Sequence, residues 1–599
     1  KAGYHDPDLS PCHEYIGFYL WLRHVADVHV IVHLGAHGTL EWLPGKAAAL
    51  SAACFPSALL GGVPVIYPFI VNNPGEAAAA KRRLGAVTIG HLTPPLRDAG
   101  AHGAAQTLDQ MIDAYAAADG LDRRRAALLR ADILTLARDS GVLAESGVAP
   151  GDDDDAALAR LDAYLCDVKD MRIRDGLHVF GAGTCGAEER TALLAALDAR
   201  FVEPGPAGAP SRGRPDVLPT GRNLYSVDPR AVPTREAVAL AGRAAAELLR
   251  RHVQDHGDWP RALVLDLWGS TTMRTGGEDL GLALVLMGAR PVWDDNSARV
   301  SGVEILPLAL LDRPRVDVTL RVSGLFRDAF EAQVALFDQA ARAIAARDFE
   351  DGALNPLAEA ARVGPSQGIR TAPARVFGPA PGAYGAGLLP LVERGAWRDR
   401  DALGAAYLAA ASHAYGRDLA GKAAPESFAS RVAEAHAFVH TQDHAETDVL
   451  DDGENAAHEG GFAAAAASLG AAPALYRLDT SRPDAPRART LAEDLARVVR
   501  GRAANPAWIA GMKRHGRRGA AEISRTLDAL YTFAAATPIR LDAQFELLFG
   551  ATLGDADTDA FLCTANPDAR AAMWARFEDA RARGLWHTRR NDLGGTGDA

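Results

Sequence analysis

His33, His37 and Glu41 sit close together in the chain. Two imidazoles and a carboxylate suit a divalent transition metal and leave coordination positions open for a substrate. The same side chains accept protons near neutral pH, histidine above all. The spacing also fits a plainer arrangement, hydrogen-bonded histidines in a turn beside a salt-bridged glutamate. It does not fit a zincin, because Gly35, Gly38 and Pro44 forbid the continuous helix that H-E-x-x-H requires.

The elements that must position these residues read as α/β. Val28–Val32 is a β-branched run ending near His33, and Gly35 and Gly38 force a tight turn. Thr39 caps a short helical turn that Pro44-Gly45 stops. Open α/β sheets bind ligands at this end of a strand. An aromatic helix over Tyr15–Val25 precedes the motif, and a buried helix over Ala47–Ala53 follows it. Val63–Val71 and Ala86–His91 read as further strands. Between them the polar turn Asn72-Asn73-Pro74-Gly75-Glu76 opens a helix whose Lys81-Arg82-Arg83 run reads as a solvated face. Alternation of this kind predicts a parallel sheet covered on both faces.

Residues 106–164 read as helical, with a solvated acidic loop at Asp152–Asp155. A strand at Leu177–Phe180 precedes Gly181-Ala182-Gly183-Thr184-Cys185-Gly186, a G-x-G-x-x-G pattern with Glu203 at the ribose-acid spacing. No second mononucleotide unit follows promptly, so this is a weak dinucleotide signal. No G-x-x-x-x-G-K-[ST] occurs, so the chain is not expected to hydrolyse ATP itself. Pro204–Pro233 reads as a connector. A helix over Thr234–His252, a strand over Ala262–Trp268, a Gly/Thr-rich turn over Gly269–Glu278 and a helix to Met287 form a second α/β unit with an anion-friendly turn at Arg274. A strand at Arg315–Val322 and a helix at Phe326–Ala346 complete it. A long Gly/Pro-rich loop spans Gly364–Gly387. Beyond Asp401 the chain reads as mostly helical, with a solvated acidic loop at His440–Glu459, where His440, His444 and His458 are weaker ligand candidates. The expected division is 1–200, a connector at 201–233, 234–363 and 364–599. The fold class is α/β and multidomain, with parallel-sheet units and a largely helical C-terminal region.

The totals exclude several classes. With 599 residues, 48% hydrophobic and 23% charged, the chain is globular, and a net charge of −12 argues against nucleic-acid or anionic-membrane surfaces. Cys12, Cys54, Cys166, Cys185 and Cys563 form no C-x-x-C pair and read as reduced thiols, which suits a cytoplasmic setting. The uncharged run from Ala47 to Gly75 is broken too often by Pro and Gly for a lipid-exposed helix. The first residue is Lys, close to the motif, and reads as the start of a C-terminal half.

Stretches along nearly the whole chain resemble the large-subunit family of the class I tetrapyrrole chelatases. They include His33 through Lys46, Tyr67 through Glu76, His91 through Leu96, Thr220 through Pro229, Trp268 through Glu278, Arg313 through Val318, Ser323 through Asp328, Arg375 through Gly378 and Asn505 through Met512. The first motif is shared with magnesium chelatases, while Thr271 through Glu278 and the Arg375 loop look more like the cobalt branch. The resemblance implies ATP-dependent insertion of Co²⁺, the substrate metal, into hydrogenobyrinic acid a,c-diamide in aerobic cobalamin synthesis. ATP and Mg²⁺ would sit on a separate AAA+ ATPase subunit that acts with a further partner. His33, His37 and Glu41 would handle metal and protons. Asn72, Asn73, Glu76, Arg222, Asn223, Arg274, Arg375 and Tyr384 would bind the ring, the arginines as bidentate carboxylate partners. The G-x-G-x-x-G pattern is foreign to that family. Magnesium insertion into protoporphyrin IX, a non-catalytic tetrapyrrole carrier and a stand-alone metallohydrolase are the competing readings.

Overall fold

A computed structural model describes residues 9–35, 37–46, 51–148, 151–363 and 374–590. The chain forms two compact units. One comprises Lys1–Thr93, His178–His444 and Gly461–Ala488; the other comprises Pro94–Leu177, Ala445–Gly460 and Arg489–Ala599.

The first unit holds two sheets. The smaller has the order Ile31–Val32, Val65–Ile70, Val87–His91, Asn223–Tyr225, Pro204–Pro206. Its first three strands are parallel, and Asn223 pairs antiparallel with Ile89. Val65–Ile70 is apolar on both faces because both are covered. Val65, Tyr67 and Phe69 pack on the side of the Pro74–Leu84 helix, whereas Ile66 joins Ile89 and the Gly186–Leu197 helix. Pro68 is tolerated for a topological reason. Pro64 and Ile66 direct their carbonyls at the neighbouring short strand, accepting from Ile31 and His33. By that alternation Pro68 faces the same side beyond Val32, where the neighbour has ended and no N–H is required. The sheet edge is thereby open beside His33.

The larger sheet runs Leu419–Ala423, His413–Gly416, Val376–Gly378, Asp317–Val322, Ala262–Leu267, Ala437–Gln442, Ala474–Asp479, Arg487–Thr490. Val376–Gly378 through Ala474–Asp479 are parallel, and the two strands before them pair antiparallel. Leu263, Leu265, Leu267, Val318, Leu320 and Val322 build its core with helices Arg235–His256, Glu278–Met287 and Glu331–Ala345. The second unit is helical around a short hairpin of Leu96–Asp98 with Arg172–Arg174. Its insertion packs Leu108, Ile133, Leu161 and Leu165 into a core of its own. The rest centres on the buried Gly516–Ala536 helix.

Several expectations are corrected. The segment Pro204–Pro233 is no boundary, because it contributes two strands to the smaller sheet. The divisions near 200, 234 and 364 likewise all fall inside the first unit. The region beyond Asp401 is mostly helical as expected, but it also contributes five strands to the larger sheet. Leu177–Phe180 is irregular. The Gly269–Glu278 turn is largely a helix, Gly269–Thr275, ended by Gly276 and Gly277 in left-handed conformation. The helix expected over Phe326–Ala346 breaks at Phe330. Asp154 and Asp155 open the Asp154–Lys169 helix, capped by Asp153. Ser51–Cys54 is a turn, and the rest of the helix expected from Ala47 lies outside the described residues, as does 364–373 of the long loop.

Candidate functional site

The motif turn is built around Glu41, which is 1% exposed. Its Oε1 accepts the Gly38 N–H at 2.7 Å and the Tyr67 hydroxyl at 3.1 Å. Its Oε2 is buried with no hydrogen-bond partner among the described residues. His33 lies flat on Tyr67, ring centroids 4.4 Å apart and planes within 8°. Gly38 sits between the two groups: a Cβ there would lie 2.1 Å from the His33 ring and 3.1 Å from Glu41 Oε2. Glycine is required because the imidazole and the free carboxylate oxygen converge on that point. Tyr15 donates to or accepts from Thr39 at 2.8 Å, so the aromatic His13–His24 helix braces the turn.

The third expected residue, His37, is exposed, with Nδ1 3.2 Å from the Gly38 carbonyl. Among the described residues no group of three or more His, Cys, Asp or Glu side chains is placed to hold a metal ion. The expected three-ligand set is thus not assembled: His33 and Glu41 converge beside Gly38, while His37 lies exposed.

Asn73 caps the Pro74–Leu84 helix, accepting the Glu76 N–H at 3.4 Å. That turn places Glu76 where its Oε2 is buried and has no partner among the described residues. Burial lifts Glu76 to about 7; His37 opposes the rise and the Glu41 carboxylate adds to it. Burial lowers His33, against the pull of Glu41 and with that of His37. Burial and then Glu41 push Tyr67 far above the usual phenol range, so it is a permanent donor.

The larger sheet meets this turn from its own carboxyl edge. Ser270 donates to Asn73 Oδ1 at 3.2 Å, and Arg274 donates to the Asn72 carbonyl at 3.0 Å. Gly75 permits the approach, since a Cβ there would lie 2.3 Å from Leu325 and 2.5 Å from Ser270 Oγ. Arg274 is anchored by Asp443, with both nitrogen–oxygen distances 2.7 Å. Burial works to raise Asp443, but Arg274 outweighs it and holds the carboxyl well below its usual range. Tyr384 also arrives here: its ring meets Trp42 edge-on at 5.0 Å and its hydroxyl donates to Asp328 at 2.5 Å.

The other expected ring-binding residues serve the fold. Arg375 is 2% exposed and grips Asp317 through both oxygens, at 2.5 and 2.7 Å, so a ligand carboxylate cannot reach it. Arg222 donates to the carbonyls of Pro219 and Asp216 on an exposed loop. Asn223 accepts from Lys81 and from the Thr88 N–H, joining strand to helix. The glycine-rich loop holds no phosphate cradle. Glu189 fills it, accepting from Gly181 N at 2.8 Å, Leu92 N at 2.9 Å and Thr220 at 2.8 Å.

The stretch from His440 is not a solvated loop. His440 lies on a central strand, 5% exposed, with Nδ1 3.0 Å from Asp266, which also accepts from Trp268 Nε1 at 2.7 Å. His444 and His458 are equally buried, at 5% and 4%, and in different units. Sequence reasoning misses Tyr67, Ser270 and Asp443. Tyr67 alone carries a signal, as a hydroxyl in a strand otherwise apolar on both faces.

Residues 1–187 and 182–593 match the sequence model of the CobN/Magnesium Chelatase family. A protein of Sinorhizobium sp named aerobic cobaltochelatase subunit CobN is 41% identical, over 100% of this chain and 58% of its own length. A magnesium-chelatase subunit of Rhodobacter capsulatus is 33% identical, over 96% of this chain and 50% of its own. The solved catalytic subunit of cobaltochelatase from Mycobacterium tuberculosis superposes with a TM-score of 0.93 at 37% identity, covering 99% of this chain and 59% of that one. The chain spans little more than half the length of these relatives. On that match and that fold, the chain belongs to the CobN/magnesium chelatase family.

Proposed function

We propose that the protein is the large subunit of an ATP-dependent cobaltochelatase and inserts Co²⁺ into a metal-free corrin, hydrogenobyrinic acid a,c-diamide. The observation that carries the reading is the pair of buried carboxylate oxygens, Glu41 Oε2 and Glu76 Oε2, without partners among the described residues, at the strand exit that also presents His33. Insertion exchanges a divalent ion for inner N–H protons of the ring, so it needs oxygen or nitrogen donors to hand over the ion and a base to take the proton. Glu41, whose Oε1 is oriented by the Gly38 N–H and the Tyr67 hydroxyl, suits the ion. Glu76, poised at about 7, suits the proton. His33 and the rim residue His37 complete an open donor set. Asn72 and Asn73 fix the turn, and Tyr384 and Trp42 offer aromatic surface beside it.

ATP hydrolysis belongs to a separate AAA+ ATPase subunit acting with its partner subunit, because this chain carries no phosphate-binding loop of the required pattern. The cobalt reading is favoured over magnesium by the higher identity to the CobN protein, 41% against 33% for the magnesium-chelatase relative. An absorbance titration of the protein with metal-free corrin and metal-free porphyrin tests it. Tighter binding of the corrin, and cobalt insertion on adding the ATPase subunits, is expected. Preference for the porphyrin, or hydrolytic turnover with zinc alone, would replace the reading.

A further inference from the structure

Beyond the Val376–Gly378 strand the chain runs without helix or strand to Leu389, and this irregular stretch carries Tyr384 to the candidate site. Gly382 and Gly385, at φ of 80° and 79°, bracket Ala383 and Tyr384, and the Ala383 N–H donates to the Ala380 carbonyl at 2.9 Å. A glycine-bracketed stretch of this kind has little rigidity of its own.

Arg327 supplies what the backbone does not. It is 8% exposed, on the Gly324–Ala329 helix, and donates to three carbonyls of the stretch: Ala380 at 2.6 Å, Ala383 at 2.9 Å and Pro379 at 3.3 Å. The same guanidinium makes a two-point pair with Asp328, at 2.7 and 3.0 Å, and lies 5.4 Å from the centre of the Tyr384 ring. Asp328 in turn accepts the Tyr384 hydroxyl. Burial, then Asp328, push that phenol far above its usual range against the pull of Arg327, so it is a permanent donor. Gly324 lets the stretch come this close, since a Cβ there would lie 2.5 Å from the Tyr384 ring. What the clamp delivers is one side chain: Tyr384, half-buried and edge-on against Trp42, the residue next to Glu41.

We propose that Arg327 is a positioning residue for tetrapyrrole binding, fixing Tyr384 against Trp42 as an aromatic wall of the ring site. The inference rests on the chelatase reading. A macrocycle offers a broad apolar face, and a wall already in place binds it without the entropy cost of ordering a glycine-rich loop. Lysine cannot substitute, because one ammonium does not span three carbonyls and a carboxylate fork.

The test compares Arg327→Lys, Tyr384→Leu and the double variant by absorbance titration with metal-free corrin, and by corrin KM and kcat with the ATPase subunits present. Chymotryptic cleavage after Tyr384 is followed in ligand-free wild type and Arg327→Lys. Each single variant is expected to raise the corrin dissociation constant and KM by about three- to tenfold. The kcat should change far less, and the rise in rate through pH of about 7 should stay in place. The double variant should be no worse than Tyr384→Leu alone, because Arg327 acts through that ring. Cleavage should be faster in Arg327→Lys. Wild-type corrin affinity in Arg327→Lys, additive losses in the double variant, or unchanged cleavage would each overturn the proposal. Should Arg327→Lys fail to fold, Tyr384→Phe, which loses only the bond to Asp328, decides instead: KM should rise about threefold, and a wild-type KM would overturn the proposal. Wild type that binds no tetrapyrrole would end the chelatase reading and this proposal with it, whereas an unaffected Arg327→Lys beside a corrin-binding wild type ends this proposal alone.

Discussion

His33 stacks on Tyr67 at 4.4 Å while the same Tyr67 donates its hydroxyl to Glu41 at 3.1 Å. One fully buried phenol thus sets both the plane of an imidazole and the orientation of a carboxylate. Its ionisation is suppressed by burial and by Glu41, so the hydrogen bond has a fixed direction.

Tyr67→Phe separates these two duties. The ring remains for His33 to lie on, but Glu41 Oε1 keeps only the Gly38 N–H. We expect a loss of about 1 kcal/mol in stability and a fall in insertion rate on the order of tenfold, with the corrin dissociation constant unchanged. Thermal melting and single-turnover absorbance traces check this. Unaltered insertion would show that Glu41 needs no such anchor.

Glu76→Gln removes the proposed proton acceptor and keeps the shape. Insertion should slow by about a hundredfold or more, with corrin binding retained. In wild type the rate should climb as pH rises through about 7, where Glu76 becomes anionic. That limb should be missing from the residual activity of the variant. A pH profile with the same limb in both proteins would reassign the base.

Asp279 is 2% exposed and lifted by burial from 3.8 to about 7, against hydrogen bonds from Thr272 and the Leu280 N–H. Because the folded value is raised, folding favours the protonated acid. That stability is complete below 3.8 and drains away as pH rises towards 7. Asp279→Asn should therefore gain melting temperature relative to wild type as pH goes from about 4 to about 7. Parallel melting curves would contradict the burial argument.

Arg375→Ala probes the reassignment of that residue from ring binding to the sheet. Removing it strands Asp317 with Arg431 as remaining partner, at 3.1 Å. We expect a loss of about 3–5 kcal/mol, with the folded fraction binding corrin as wild type does. A selective loss of corrin affinity without destabilisation would restore the ligand role.

Much of the α/β plan is legible because a doubly covered strand must be apolar throughout, as Val65–Ile70 and Ala262–Leu267 are. The strands beyond Asp401 escape that rule. Ala437–Gln442 carries His440, and Ala474–Asp479 carries Arg477, both of which look solvated until distant partners such as Asp266 and Gln442 are in place. The acidic stretch after His440 misleads for the same reason. Several of its charges are buried in matched pairs, as Asp443 is with Arg274 from far earlier in the chain.

Local chemistry determined the strand exit, the glycines that kink it and the approach of His33 to Glu41, because those depend on neighbours within a few residues. The tertiary structure decided which polar groups were free. Arg375, Asn223 and Glu189 are taken by contacts from remote segments, whereas Glu41 and Glu76 each keep one carboxylate oxygen out of water and, among the described residues, unpaired. Desolvation and pairing are properties of the packed chain, and no spacing along the sequence encodes them.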